Sequence, residues 1–71
     1  MSAGSKFKEL RKAKGLTLKQ LAEKAGKTTV IISMIENDKT NPTPHTIFAL
    51  AKALDCDYNL LYDMFKDQKE K

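Results

Sequence analysis

The apolar residues of this chain fall into five groups with helical spacing, separated by short polar stretches. Ala3, Phe7 and Leu10 share one face of a first helix, which ends near Lys14 with Gly15 as its stop. Thr17 is suited to N-cap a second helix, and Gln20 three residues later completes a capping box. Leu18, Leu21, Ala22 and Ala25 give that helix one apolar stripe. Gly26 follows, where a positive φ is cheapest for glycine. Thr28 caps a third helix whose inward positions are Ile32 and Ile35. After a polar loop over 37–43, Thr43 and Pro44 form an N-cap and N1 pair that opens a fourth helix. Its stripe is Ile47, Leu50, Ala51 and Leu54. Asp55 and Cys56 make a short connection, and Asp57 caps a fifth helix from Tyr58 to about Phe65. No segment alternates with period two over a useful length, so no sheet is expected. The fold class is all-α, with a compact five-helix domain over 1–66 and a charged, fraying tail over 67–71.

The stretch 17–37, TLKQLAEKAGKTTVIISMIEN, has a steric logic of its own. Ala22 is small where a second helix must cross closely, Gly26 makes the sharp turn, and Ile32 and Ile35 fill the space between the helices. This is the pattern of a helix-turn-helix, which lays its second helix in the DNA major groove.

Charge sharpens that picture. The formal net charge is +4, and it is uneven: residues 1–54 carry ten Lys/Arg and four Asp/Glu, against three and five in 55–71. A basic N-terminal part fits a polyanion on one face, although a solvated lysine-rich surface would look the same. Length and composition narrow the class. A chain near this size buries only ~60% of its unfolded surface, which suits one small domain. The single cysteine, Cys56, excludes an internal disulfide and fits a reducing cytoplasm. One His and one Cys cannot build a structural metal site alone. No apolar run is long enough for a membrane span, and the first residues lack a signal peptide's apolar core. His45 reads as a surface histidine, and Asp55, Asp57 and Asp63 are too widely spaced for a calcium loop. Neither a cofactor nor a small-molecule ligand is expected, and no enzymatic activity.

The whole set of segments resembles the lambda-repressor-like helix-turn-helix family, which includes phage Cro proteins and many small bacterial regulators of the Cro/C1 or XRE-like type. The resemblance covers about Phe7 to Tyr62. It rests on FKELRKAKGLT, on the LAEKAG turn, on IENDKTNP after the third helix, and on AKALDCDYNLL near the end. It implies a transcriptional regulator that binds double-stranded DNA with a recognition helix at about 29–36. It also implies a pairing of Arg11 with Glu36. Arg11 is the sole arginine among thirteen basic residues, and a guanidinium can pair a carboxylate bidentately and tolerate burial.

By the same resemblance, phosphate contacts fall to Thr17, Leu18 and Lys19, to Thr28, and to Asn37, Lys39 and Thr40. Helix N-termini and small polar side chains suit that role. Base contacts fall to Thr29, Val30, Ser33 and Met34. Here the chain departs from the family, because none of these side chains can make the bidentate contact that reads guanine or adenine. Lys27 stands where an apolar turn residue is usual. Asp38 and Asp55 stand where glycine is usual, at a strain of order 1 kcal/mol; Asp38 also sets a negative charge near the phosphate face. Three readings of the apolar recognition helix stay open: weak reading of an A/T-rich or shape-defined site, a protein-binding module on the same scaffold, or a redesigned surface. Val30, Ile31 and Met34 would form a small exposed apolar patch. In the fifth helix Tyr58, Leu61 and Phe65 are expected to face the core. Leu60, Tyr62 and Met64 are expected outside, as a loosely wrapped helix or as the contact of a weak homodimer on a palindromic site.

Overall fold

The computed structural model describes the backbone of residues 2–69 and the side chains of residues 2–66. The five helices are α1 (Ala3–Ala13), α2 (Leu18–Ala25), α3 (Thr29–Glu36), α4 (Pro44–Leu54) and α5 (Tyr58–Lys69), with no strand among the described residues. The fifth helix runs past the Phe65 end that apolar spacing suggests. The side chains of the expected tail, 67–71, lie outside the described residues.

Each helix start is made by the residue beside it. Thr17 Oγ1 accepts from Gln20 N–H at 3.1 Å, and Gln20 Oε1 accepts from Thr17 N–H at 2.9 Å, which closes the capping box. Thr28 accepts from Ile31 N–H, Thr43 from Thr46 N–H ahead of Pro44, and Asp57 from Asn59 N–H. The ends of α1 to α4 share one device. A residue in the left-handed region follows the helix, and the next N–H reaches back to a carbonyl five residues earlier. The left-handed residues are Gly15, Gly26, Asp38 and Asp55, with φ of 75°, 69°, 60° and 55°. The long return bonds run from Leu16, Lys27, Lys39 and Cys56 to Arg11, Ala22, Met34 and Ala51. Two aspartates thus hold the glycine conformation, as expected.

The core joins all five helices. Phe7, Leu21, Ile32, Ile35, Leu50, Leu54, Leu61 and Phe65 are its largest fully buried side chains. Ala22 is buried on α2, which packs against both α3 and α4. The Phe7 and Phe65 rings meet at 5.7 Å and 57°, a tilted contact that ties α1 to α5. Leu10, Leu18, Ala25 and Tyr58 pack against this core from its margin.

Two expectations are corrected here. Ile31 is not part of an open patch: it is half-buried and packs against the core. Met64 does not stand outside with Leu60 and Tyr62; it too is half-buried against the core. Both lie one helical step from a fully buried residue, and the margin of a small core is wide enough to take them. Sequence spacing also passed over Phe48, which is 53% exposed on α4 with the Lys52 ammonium 5.5 Å from its ring centre.

Candidate nucleic-acid interface

α3 has two distinct sides. Ile32, Ile35 and Glu36 are buried, and i,i+4 spacing puts Val30 with Met34 on the opposite face and Thr29 with Ser33 along its edge. Val30 is 66% exposed and Met34 37%, so two apolar side chains stand at the centre of the outer surface. Thr29 is exposed and Ser33 half-buried. Of the four residues expected to read bases, Val30 and Met34 hold the exposed face, with Thr29 and half-buried Ser33 along its edge.

The residues expected to contact phosphate lie at the start of α2, at the start of α3 and in the loop after α3. Thr17 and Lys19 are exposed and Leu18 is half-buried. The capping box engages the Gln20 N–H, so the Leu18 and Lys19 amides share a helix start that carries partial positive charge. Thr28 stands at the start of α3 itself, and its hydroxyl is committed to its cap. In the loop, Asn37 and Lys39 are exposed and Thr40 is half-buried. Asn37 is less available than expected. Its amide Nδ2 donates to the Ser33 carbonyl at 2.9 Å and lies 3.4 Å from Ser33 Oγ. It serves first as a cap on the last turn of α3, and it orients the Ser33 hydroxyl.

The frame behind this face is an ion pair. Arg11 Nε donates to Glu36 Oε2 at 2.7 Å, Nη2 to Oε1 at 3.4 Å, and Nη1 to the Leu16 carbonyl at 2.8 Å. The two side chains are 8% and 4% exposed. One guanidinium thus joins α1, the turn before α2, and the last residue of α3. A lysine has no planar fork and could not make these three bonds at once.

Sequence reasoning missed a second tie to α3. Asp38 Oδ1 accepts from Gly4 N–H at 2.9 Å, across 34 residues of chain. Gly4 is buried, and a Cβ there would stand 2.5–2.7 Å from the Glu36 and Ile35 carbonyl oxygens and Asp38 Oδ1. The available signal was a glycine in the first turn of a helix, where it is costly unless a backbone approaches closely.

Other chemistry is sparse. Among the described residues no group of His, Cys, Asp and Glu could hold a metal ion, and no helix is long and apolar enough to cross a membrane. Burial pushes the Cys56 thiol up, with Asp57 and Asp55 adding to the rise and Lys14 opposing it, which leaves little thiolate at neutral pH.

Residues 7–61 match the helix-turn-helix family. The chain is 43% identical over 54 residues to the immunity repressor protein of Bacillus phage phi105, covering 76% of this chain and 38% of that protein. It spans less than two thirds of the length of each curated relative it matches here. Among solved structures, it resembles the restriction-modification controller protein C.AhdI from Aeromonas hydrophila, with a TM-score of 0.79 and 34% identity, covering 83% of this chain and 89% of that one. It also resembles the P22 c2 repressor in complex with a synthetic operator, with a TM-score of 0.77 and 30% identity, covering 86% and 92%. The match covers the capped α2, the Gly26 turn and the two-sided α3, and this chain belongs to the helix-turn-helix family.

Proposed function

We propose that this chain acts as a DNA-binding transcriptional regulator of the Cro/repressor type, with α3 in the major groove. The observation that carries the reading is the outer face of α3: it is exposed, rigidly backed by buried Ile32, Ile35 and Glu36, and followed in the chain by a lysine-bearing loop. The likeness to a repressor solved on its operator favours this reading over a protein-binding module. The role is non-enzymatic and cytoplasmic, and it needs no cofactor.

Phosphate contacts fix position, through Lys19 and Lys39 and the polar groups at Thr17, Leu18, Thr28, Asn37 and Thr40. Base reading falls to Thr29, Val30, Ser33 and Met34. Val30 and Met34 offer no hydrogen bond, so they act through thymine methyls and groove shape. We expect a low specificity ratio and an A/T bias. Lys19→Ala and Lys39→Ala should each weaken binding to every duplex and reduce the salt slope by about 1. Val30→Ala and Met34→Ala should instead alter sequence preference, by ~1–3 kcal/mol at most per well-read base. Duplex affinity at two salt concentrations, followed by selection from random sequence, measures both. A folded protein that fails to bind even at low salt would overturn the regulator reading and leave Val30 and Met34 as a protein-docking patch.

A second copy completes a palindrome reader. The expected contact on α5 is narrowed by its geometry. Leu60 and Tyr62 are 50% and 36% exposed, but at ~100° per residue they stand about 200° apart, on opposite flanks of the core stripe. One flat contact cannot use both. Tyr62 has the better footing, because it stacks on Tyr58 at 6.0 Å and 14°, whereas Leu60 shares its flank with half-buried Met64. Tyr62→Lys should therefore yield a folded monomer in sedimentation at high concentration, and Leu60→Lys should leave the association intact. The wild type sedimenting only as a monomer, and footprinting as a single copy, would remove the dimer.

A further inference from the structure

An acidic residue in a loop that faces phosphate calls for an explanation. Asp38 lies between Asn37 and Lys39, directly after α3, and its backbone takes φ of 60°. A glycine would hold that conformation without strain. Among the contacts that the aspartate adds is the bond from Gly4 N–H to its Oδ1 at 2.9 Å. Gly4 is in the first turn of α1, where amides carry the positive end of the helix dipole and favour a carboxylate. The two helix ends meet closely here: the absent Cβ of Gly4 would stand 2.5 Å from the Glu36 carbonyl and 2.6 Å from that of Ile35. The loop is held from behind as well, by Lys39 N–H to the Met34 carbonyl at 2.8 Å.

We propose that Asp38 is a positioning residue for DNA binding: its carboxylate clips the loop after the recognition helix onto the start of α1, and so fixes Lys39 for its phosphate. The clip also offsets the repulsion that the carboxylate would otherwise exert, because its charge is turned to the helix start. The proposal rests on the DNA-binding reading above.

The test compares the full chain with Asp38→Gly and Asp38→Asn, by hydrogen exchange at the Gly4 amide, thermal midpoint, and affinity for a mixed-sequence duplex at two salt concentrations. Asp38→Gly removes the acceptor and the strain together, so the fold should persist with a similar midpoint. Gly4 exchange should speed up, duplex affinity should fall several-fold, and the salt slope should flatten. In a Lys39→Ala background the same change should cost much less, because the contact it positions is already gone. Asp38→Asn keeps an oxygen acceptor and tolerates positive φ, so it should preserve Gly4 protection and bind at least as tightly as the wild type. Unchanged Gly4 protection in Asp38→Gly, or duplex binding as tight as wild type or tighter, overturns the proposal. If the wild type itself binds no duplex, the DNA-binding reading fails and the positioning role fails with it; Gly4 exchange still reports separately whether the clip forms.

Discussion

Arg11→Ala should destabilise the domain by about 3–5 kcal/mol, because it leaves the Glu36 carboxylate buried without its partner. The side chains are 8% and 4% exposed, so solvent gives little relief. The Leu16 carbonyl loses its donor in the same step. A domain of this size has a total stability near the lower part of the ~5–15 kcal/mol range, so the variant should be substantially unfolded at room temperature. A fall in thermal midpoint of at least about 12 °C follows from the usual 4–8 °C per kcal/mol. Arg11→Lys should recover only part of the loss, since one ammonium cannot replace the fork to Glu36 and the bond to Leu16 together. The double variant Arg11→Met, Glu36→Leu should be more stable than Arg11→Ala, because no buried charge is left alone. Denaturant titration of the four proteins checks the set. A loss below about 1 kcal/mol for Arg11→Ala would mean that the pair behaves as a solvated surface contact.

That pair could be anticipated because the resemblance named it and because one arginine among lysines is conspicuous. The helix boundaries were legible for a different reason. Caps and stops are local, so Thr17 with Gln20, Thr28, Thr43 with Pro44, and the left-handed residues from Gly15 to Asp55 state their roles within a few residues of chain. Tertiary details were not legible in this way. Periodicity assigns a face, but it does not say how wide the core's margin is. Ile31 and Met64 were therefore expected outside and are half-buried. The bond from Gly4 to Asp38 spans 34 residues, and only the closed fold shows why a glycine belongs in the first turn of α1. The candidate interface was legible as a set of positions, yet the commitment of Asn37 to Ser33 depends on a rotamer that no pattern encodes.

Phe7→Ala should cost about 3–5 kcal/mol, comparable to the loss of Arg11 but by another route. Phe7 is fully buried, and truncation leaves a cavity against Phe65 that small helices close only in part. The tilted ring contact adds about 0.5–1.5 kcal/mol of coupling, so the Phe7→Ala, Phe65→Ala pair should be less than additive by that amount. The placement of these residues makes α1 the common anchor of the site. Gly4 meets the loop after α3, Phe7 meets α5, and Arg11 meets the end of α3. Successive turns of one helix thus hold both the proposed DNA face and the proposed partner face. Phe7→Leu separates this anchoring from simple loss of volume. It keeps most of the apolar bulk and loses the ring contact, so its cost should fall well below that of Phe7→Ala. Where Phe7→Ala is still folded at low temperature, α5 should be the first element to loosen, seen as faster amide exchange in α5 than in α2 or α3. Uniform exchange across all five helices would show instead that the domain opens as one unit, with α5 no more dependent on Phe7 than the helix-turn-helix is.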